Sequence, residues 1–281
     1  MAPSNPNDPH ALANVTGCVL LVGAGKMGGA LLEGWVALGL DPGHIAVIEP
    51  NPSPEIDALA ARGLRLNPLP GTLGPVAAIV IAVKPQNAPG VLPILPPFID
   101  RTTLVLSIMA GRTLDFLAQA FPDAALVRAM PNTPAAIGRG ITVAVGNPRL
   151  SAAEHQLVQG LLSAVGTVEW VEDEALMDAV TAVSGSGPAY VFLLAETMAR
   201  AGVAAGLPPD LAAKLARATV TGSGELLHRS PHAPAALRQN VTSPGGTTAA
   251  ALDVLMAADG LDPLMTKAIA AATNRSRALA G

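Results

Sequence analysis

Cysteine and aromatic residues are nearly absent from this chain: it has one cysteine, and aromatics make up 2% of its 281 residues. A core with so few aromatic side chains must be built from Ala, Val, Leu and Ile. The single thiol, Cys18, lies within an apolar segment, and we interpret it as a small core residue. Because one cysteine cannot form a disulfide within its own chain, we expect a protein of the reducing cytoplasm.

Charge is also scarce, at 14% of the chain, and the net charge is −4 without any basic run. This argues against nucleic acid as a partner. No apolar stretch approaches roughly 18 residues without Gly, Pro or charge, so the sequence predicts a soluble protein and no membrane partner. Residues 1–14 contain three prolines and lack the regions of a signal peptide, and we interpret them as a disordered leader.

Metal ligands and activated nucleophiles are missing as well. His228 and His232 lie four residues apart, but Pro231 interrupts the helix that would align them. Ser184 and Ser186 precede Gly187-Pro188, a typical helix start, and we interpret them as helix-start residues. We therefore predict no metal site and no serine nucleophile.

What the chain does contain, up to Glu172, is an alternation of apolar strands with helices. This alternation is typical of a doubly wound α/β sheet of the Rossmann type. The predicted strands cover residues 15–22, 45–49, 77–83, 103–107, 126–129, 141–145 and 167–171, and the predicted helices 27–38, 55–62 and 152–164.

Beyond Glu172 the strand-like segments disappear and Ala/Leu-rich helices follow. These helices are predicted at residues 189–205, 211–227, 248–258 and 263–279. We place a domain boundary there, with a dinucleotide-binding domain over residues 15–172 and an all-helical domain over residues 173–281. Such apolar, alanine-rich helices suggest close packing and a large subunit interface.

A glycine motif follows the first predicted strand and opens a helix, in the segment Gly23-Ala24-Gly25-Lys26-Met27-Gly28. This context is typical of a loop that holds a pyrophosphate at a helix N-terminus. Glu49 ends the second strand, 21 residues after Gly28, where an acidic side chain can bond a ribose 2′-OH. Because the same carboxylate would repel a 2′-phosphate, we expect NADH to be used well.

Three later strands end in residues suited to a ligand. Lys84 follows the third strand, small residues at 107–111 leave room for a nicotinamide ring, and Asn132 can bond a carboxamide or a substrate. The carboxyl ends of such strands line the crevice where ligands of doubly wound sheets bind. We therefore predict these residues in the cofactor site.

A second loop, residues 240–248, places two glycines and four hydroxyl residues before a helix-forming segment. Free backbone N–H groups at a helix N-terminus hold an anion such as a carboxylate without a charged side chain. Alone, the segment is equally typical of a well-capped turn. Together with the glycine motif, it indicates one loop for a pyrophosphate and another for a small acid.

Five segments, in this order, resemble the pyrroline-5-carboxylate reductases: residues 23–28, 83–85, 128–134, 183–190 and 243–248. The resemblance extends over residues 15–279. It implies reduction of 1-pyrroline-5-carboxylate to L-proline by NADPH or NADH, the last step of proline biosynthesis. It also implies that residues 173–281 form a dimerisation and substrate domain, in a homodimer that commonly assembles further into a decamer.

The resemblance also implies roles for individual residues. The cofactor would be lined by Gly23, Ala24, Gly25, Lys26, Met27, Gly28, Ala82, Val83, Lys84, Pro85, Ile108, Met109, Ala110 and Asn240. The substrate would be lined by Ser243, Gly245, Gly246, Thr247 and Thr248. Within this set, Thr248 would bond the ring nitrogen, while Ser243 and the N–H groups after Pro244 would take the carboxylate. The sequence departs from the family at Glu49-Pro50, which leaves the choice between NADH and NADPH open.

Two other functions agree with the glycine motif. A β-hydroxyacid dehydrogenase also pairs such a domain with a helical one, but it relies on a lysine in the helical domain. Here Lys214 and Lys267 are the lysines after Lys84, and neither lies in the expected glycine-flanked setting. A non-catalytic dinucleotide-binding module would need the first loop but not the second.

Overall fold

The structure is a computed structural model that describes residues 12–280. The chain forms two compact units, described separately here. The first contains the residues up to Gly185 together with those from Thr273 onward, and the second contains Ser186–Ala272.

The first unit is built on one eight-stranded sheet in the order β3-β2-β1-β4-β5-β6-β7-β8. The first six strands in sequence pair in parallel, β7 runs antiparallel to β6, and β8 runs parallel to β7. This is the doubly wound order with two strands added at one edge, which confirms the predicted fold class. The strands are β1 (Cys18–Val22), β2 (Ile45–Ile48), β3 (Arg65–Leu66), β4 (Val76–Ile81), β5 (Leu104–Ser107), β6 (Ala125–Met130), β7 (Gly140–Gly146) and β8 (Gly166–Trp170).

The helices agree with the predicted pattern in the long elements. The α-helices are α1 (Lys26–Ala37), α2 (Pro54–Ala60), α3 (Ala88–Val91), α4 (Leu114–Ala120), α5 (Ala152–Ser163), α6 (Met177–Val180), α7 (Gly187–Ala204), α8 (Pro209–Arg229), α9 (Pro234–Asn240), α10 (Thr247–Leu255) and α11 (Leu261–Ala280). Five short elements were not predicted from the sequence: β3, α3, α4, α6 and α9. Each has seven residues or fewer, too short to show a helical or alternating period.

The core lies on both faces of the sheet, so its central strands are apolar without interruption. Successive residues of β1 point to opposite faces: Val19 and Leu21 pack in one cluster, and Leu20 and Val22 in the other. The largest side chain of the core, Trp35 of α1, is fully buried, and its indole N–H donates to the Leu161 carbonyl at 2.8 Å. The core therefore contains one of the chain's few aromatic side chains, with its polar atom bonded.

The predicted leader, residues 1–14, is only partly described, because residues 1–11 lie outside the described range. Leu12 belongs to the core: it is 2% exposed, and its N–H donates to the Leu38 carbonyl at 3.0 Å. Residues 12–14 thus belong to the described fold and precede residue 15, where the first apolar segment of the sequence starts.

The last part of the chain returns to the first unit. The Ser276 hydroxyl donates to the Asp178 carboxylate at 2.6 Å, and Arg277 lies 3.8 Å from the other oxygen of the same group. The units divide after Gly185, later than the boundary predicted at residue 172. The sequence cannot show this return, because α11 keeps one helical pattern across Ala272 and Thr273.

The second unit buries little within its own chain. Its buried residues are Ala212 and Ala216 of α8, and Gly202 of α7 packs against Ala212. Large apolar side chains on α7 and α8 are exposed: Val191, Phe192, Leu193, Leu194, Met198, Leu211, Leu215, Leu226 and Leu227. An apolar surface of this extent is typical of a subunit interface. Among the helices of residues 12–280, none combines the length and hydropathy that a membrane crossing requires.

Candidate active site

The glycine motif connects β1 to α1, and each of its glycines has a different physical role. Gly23 has a φ of +88°, and a side chain there would collide with Val83. A Cβ on Gly28 would overlap the Gly23 carbonyl, so Gly28 allows the helix to pack against its own loop. A Cβ on Gly25, by contrast, would meet no atom within 4 Å. Gly25 therefore leaves open space in front of the backbone, where a bulky anion can approach.

The start of α1 offers free hydrogen-bond donors. Gly25 is the N-cap, and it makes no side-chain cap. The N–H groups of the first helical turn have no acceptor within the helix, and the helix dipole adds positive potential there. Lys26 is exposed at the first position of this turn. The arrangement is suited to a phosphate group.

Residues after β4 and β5 lie beside this loop. The Ala82 N–H donates to the Val22 carbonyl at 2.8 Å, and the Ile108 N–H donates to the Ile81 carbonyl at 3.0 Å. The parallel register thus brings the predicted segments 82–85 and 108–110 to the same edge of the sheet as Gly23. Met109 differs from its neighbours, since its side chain is buried in the core and leaves only its backbone near the edge.

Glu49 points toward the glycine loop. Its carboxylate accepts hydrogen bonds from the Ala24 N–H at 2.9 Å and from the Asn51 N–H at 3.0 Å, one on each oxygen. The first of these bonds connects Glu49, the first residue after β2, to Ala24, the first residue after Gly23. This orientation could not be derived from the sequence, because Pro50 allows the side chain to turn either way.

Asn132 follows β6, and protein atoms bond both ends of its amide. The side-chain oxygen accepts from the Ile141 N–H at 3.0 Å, and the side-chain nitrogen donates to the Ser184 carbonyl at 3.2 Å. The second hydrogen of the Asn132 amide remains to bond a carboxamide or a substrate. That bond stays a prediction. In the structure, Asn132 holds the segment Thr133–Ile137 against the π-helix Thr181–Gly185.

The Ser184-Gly185-Ser186 segment has a packing role that sequence reasoning missed. Ser184 donates to the Val180 carbonyl at 2.9 Å, within the first unit. A Cβ on Gly185 would lie 2.6 Å from the Met130 side chain at the end of β6. Gly185 thus packs against the end of the Met130 side chain, and the Ser184 hydroxyl bonds a carbonyl of its own helical turn.

A buried ion pair supports the same edge of the sheet. The Arg128 guanidinium in β6 lies 2.8 Å from the Glu174 carboxylate, and Arg128 is 6% exposed. The same Glu174 oxygen accepts from the Leu114 N–H at 2.9 Å, at the start of α4. A buried cation requires such a partner, so a lone arginine inside an apolar strand is the signal that could have predicted this pair.

The second loop, in the helical unit, has the geometry of an anion site. Gly245 has a φ of +70°, and the Gly246 N–H donates to the Ser243 carbonyl at 3.0 Å, which closes a turn. α10 then begins at Thr247 with Gly246 as its N-cap and no side-chain cap. The first-turn N–H groups, those of Thr247 and Thr248 included, have no acceptor within the helix. The Thr242 hydroxyl donates to the Arg238 carbonyl at 2.7 Å and ties the loop to α9, which ends at Asn240.

Other chemistry has no support in the described part of the chain. Residues 12–280 contain no group of three or more His, Cys, Asp or Glu side chains placed to hold a metal ion. Burial raises the pKa of the Cys18 thiol, so Cys18 stays neutral within β1 and is not a nucleophile. The backbone donors of the two loops are the feature best suited to ligand binding.

Two family models match the chain. One is described as pyrroline-5-carboxylate reductase dimerisation and matches residues 174–279. The other is described as NADP oxidoreductase coenzyme F420-dependent and matches residues 18–111. The two matches include the helical unit and the strands that carry the glycine motif.

Relatives with both sequence and structural similarity support the same family. The pyrroline-5-carboxylate reductase of Synechocystis is 41% identical, covering 92% of this chain and 97% of its own. The solved structure of a Coxiella burnetii pyrroline-5-carboxylate reductase has a TM-score of 0.84 at 31% identity, covering 95% of this chain and 100% of its own. A Plasmodium falciparum pyrroline carboxylate reductase with NADP bound has a TM-score of 0.77 at 29% identity, covering 95% and 99%.

Two glycines of the first loop, Gly28 and Gly25, predict different effects of substitution by alanine. Gly28→Ala places a methyl group against the Gly23 carbonyl and should destabilise the first unit by ~1–3 kcal/mol. Gly25→Ala meets no protein atom and should keep the thermal unfolding temperature of the parent chain. Its methyl group should instead weaken dinucleotide binding about tenfold or more, measured by calorimetry. A Gly25→Ala protein that binds NADPH as tightly as the parent would show that the pyrophosphate does not lie on this loop.

Proposed function

This chain belongs to the pyrroline-5-carboxylate reductase family, and on this premise we propose that it reduces 1-pyrroline-5-carboxylate to L-proline with NADPH or NADH. This reaction is the last step of proline biosynthesis. The observation that carries the proposal is the presence of two loops with free helix N-termini, one after β1 and one before α10. The first leaves the backbone at Gly25 open to the approach of a pyrophosphate, and the second is suited to the carboxylate of a small acid.

The glycine loop fits the cofactor in shape and in charge. Gly25 provides the open approach, the first turn of α1 provides N–H donors, and the segments after β4 and β5 border the same edge. We propose that residues 23–28, 82–85 and 108–110 of the first unit hold the cofactor, together with Glu49 and Asn132. The cofactor contact of Asn240 stays a prediction that the resemblance implies. When bound, the cofactor supplies the hydride.

The second loop would bind and orient the substrate. We propose that Ser243 and the N–H groups of Gly245, Gly246 and Thr247 take the carboxylate, at the positive end of α10. The Thr248 hydroxyl, on a half-buried side chain in the first turn, would bond the ring nitrogen. A cyclic imine is readily protonated near neutral pH, so the loop has to position the substrate and does not have to supply a strong acid. Membership in the family sets aside the β-hydroxyacid dehydrogenase and the non-catalytic module.

The proposed assembly follows from the helical unit. We propose that two copies pair through the exposed apolar faces of α7 and α8, and that dimers assemble further into a decamer. Exposed Phe192, Leu193 and Leu194 support a buried partner surface at this position. We also propose that the enzyme works in the cytoplasm, with a small-molecule substrate and no nucleic-acid or membrane partner, as its single buried cysteine and lack of basic runs suggest.

The proposed reaction predicts that the purified chain oxidises NADPH or NADH when 1-pyrroline-5-carboxylate is the acceptor. Proline should form in a one-to-one ratio with oxidised nucleotide, which chromatography of the product measures. A β-hydroxyacid with the oxidised cofactor should give no turnover. Nucleotide oxidation without proline formation, or turnover of the hydroxyacid instead, would contradict the proposal.

The role of Thr248 predicts a specific kinetic effect. Thr248→Val keeps the shape of the side chain but removes the hydroxyl, so kcat/KM should fall about ten- to a thousandfold, or ~1.4–4 kcal/mol. Thr248→Ser should restore most of the activity, and cofactor affinity should hold in both variants. Thr266→Val, on an exposed position of α11, is the matched control and should behave as the parent. Full activity of Thr248→Val would mean that the loop binds only the carboxylate.

The proposed interface predicts a dimer or larger assembly at micromolar concentration, measured by light scattering. Phe192→Asp places a charge on the exposed face of α7 and should shift the chain toward the monomer, because burying an unpaired carboxylate is costly. Leu69→Asp, on an apolar side chain exposed in the first unit, is the control and should keep the parent's mass. A monomeric parent chain would contradict the assembly.

A further inference from the structure

The position of the Glu49 carboxylate is fixed from two directions. One oxygen accepts from the Ala24 N–H of the glycine loop, and the other accepts from the Asn51 N–H two residues along the chain. Swinging the side chain away would break both hydrogen bonds and leave the Ala24 N–H without its acceptor. A carboxylate has about four lone-pair positions, so this one still has room to accept from two hydroxyl groups.

The backbone of Glu49 is fixed as well, by Asn67. The Glu49 N–H donates to the Asn67 side-chain oxygen at 2.9 Å, and the Asn67 side-chain nitrogen donates back to the Glu49 carbonyl at 3.0 Å. The Asn67 N–H donates to the Val47 carbonyl at 2.7 Å, which extends the pairing of β2 with β3. Asn67 has a φ of 47°, a left-handed conformation that asparagine tolerates better than most residues. Asn67 is therefore a positioning residue for Glu49.

The charged residues nearest to Glu49 in the sequence are acidic. Residues 45–61 contain no lysine or arginine, and they contain the carboxylates of Glu49, Glu55 and Asp57. The next basic residues are Arg62 and Arg65. The Arg65 guanidinium donates to the carbonyl of Gly43, which precedes β2, whereas Glu49 follows β2. A hydrogen bond from the Ser53 side chain lowers the pKa of the Glu55 carboxyl, so this group is ionised at neutral pH. A site for a 2′-phosphate normally places an arginine in this region. The basic residue of the glycine loop itself is Lys26, which is exposed.

We propose that Glu49, held by the N–H groups of Ala24 and Asn51 and positioned by Asn67, makes this chain select NADH over NADPH. The free lone pairs of the carboxylate accept from the ribose hydroxyls of NADH. In NADPH a phosphate dianion replaces the 2′-hydroxyl donor, and it meets a carboxylate that cannot turn away. The proposal rests on the proposed function only in that the glycine loop binds a dinucleotide.

Direct binding to the full chain tests this proposal without turnover. Calorimetric titration should give a Kd for NADH at least about tenfold lower than that for NADPH, since one like-charge contact in a partly buried site has this effect. Glu49→Gln keeps the size and an acceptor oxygen but removes the charge. It should tighten NADPH binding about tenfold and leave NADH within about threefold of the parent. Glu33→Gln, which removes a charge from an exposed position of α1, should change neither Kd.

The role of Asn67 has its own test. Asn67→Gly keeps the freedom to adopt a positive φ but removes the amide that holds the Glu49 backbone. The Kd for NADPH divided by the Kd for NADH should fall toward one by about threefold or more. A purely structural role would weaken both nucleotides equally and leave the ratio unchanged. Lys26→Gln should weaken both nucleotides to the same extent, and a selective loss of NADPH would show instead that Lys26 receives the 2′-phosphate.

Three results would overturn the proposal. Equal Kd values for the two nucleotides in the parent would show that the chain does not select NADH. The proposed reduction of 1-pyrroline-5-carboxylate would not be affected by this result. An unchanged ratio in Glu49→Gln would assign the selectivity to other residues. Failure of both nucleotides to bind would overturn this proposal together with the proposed function, and the reductase assay would then show no turnover with either nucleotide.

Discussion

The contact between the Gly23 carbonyl and Gly28 is the constraint on which the cofactor edge depends. It allows α1 to begin directly after β1, with its first-turn N–H groups at the carboxyl edge of the sheet. Because β4 and β5 run parallel to β1, their ends reach the same edge, at Ala82 and Ile108. One tight turn in a parallel sheet thus places backbone donors and three chain segments together.

Small residues make such close approaches possible elsewhere in the molecule. Gly185 lets a π-helix approach Met130 at the end of β6, and Gly202 lets α7 pack against Ala212 of α8. With so few aromatic side chains, the chain fills its interior with short side chains and closely spaced backbones. The helical unit follows the same principle, but it leaves its larger apolar side chains exposed, which is why its surface requires a partner.

Polar side chains hold the strand ends in place. Arg128 and Glu174 connect β6 to the start of α4, and Asn132 connects the segment after β6 to the π-helix. Glu49 and Asn67 form a similar connection at the end of β2. In each case a side chain bonds a backbone group of a segment distant in the sequence. These bonds tie the ends of the strands to their neighbours while the loops stay irregular.

The order of elements, the glycine motif and the second loop could all be predicted from the sequence alone. Apolar periodicity and glycine spacing are local properties. Long helices such as α1 and α8 express the period over many residues, and an unbroken apolar segment before the glycine motif marks β1. Short elements such as β3 and α9 could not be predicted this way, since a few residues show no period.

Tertiary structure alone decided the features that depend on long-range contacts. Leu12 enters the core because Leu38 offers it a backbone acceptor, and residues from Thr273 onward join the first unit because Asp178 bonds Ser276. Glu49 turns toward the glycine loop because the Ala24 and Asn51 N–H groups need an acceptor. Both partners of each contact are visible in the sequence, but only folding brings them together. The sequence therefore determined where the two glycine-containing loops lie, and the packing between distant segments determined where each polar side chain points.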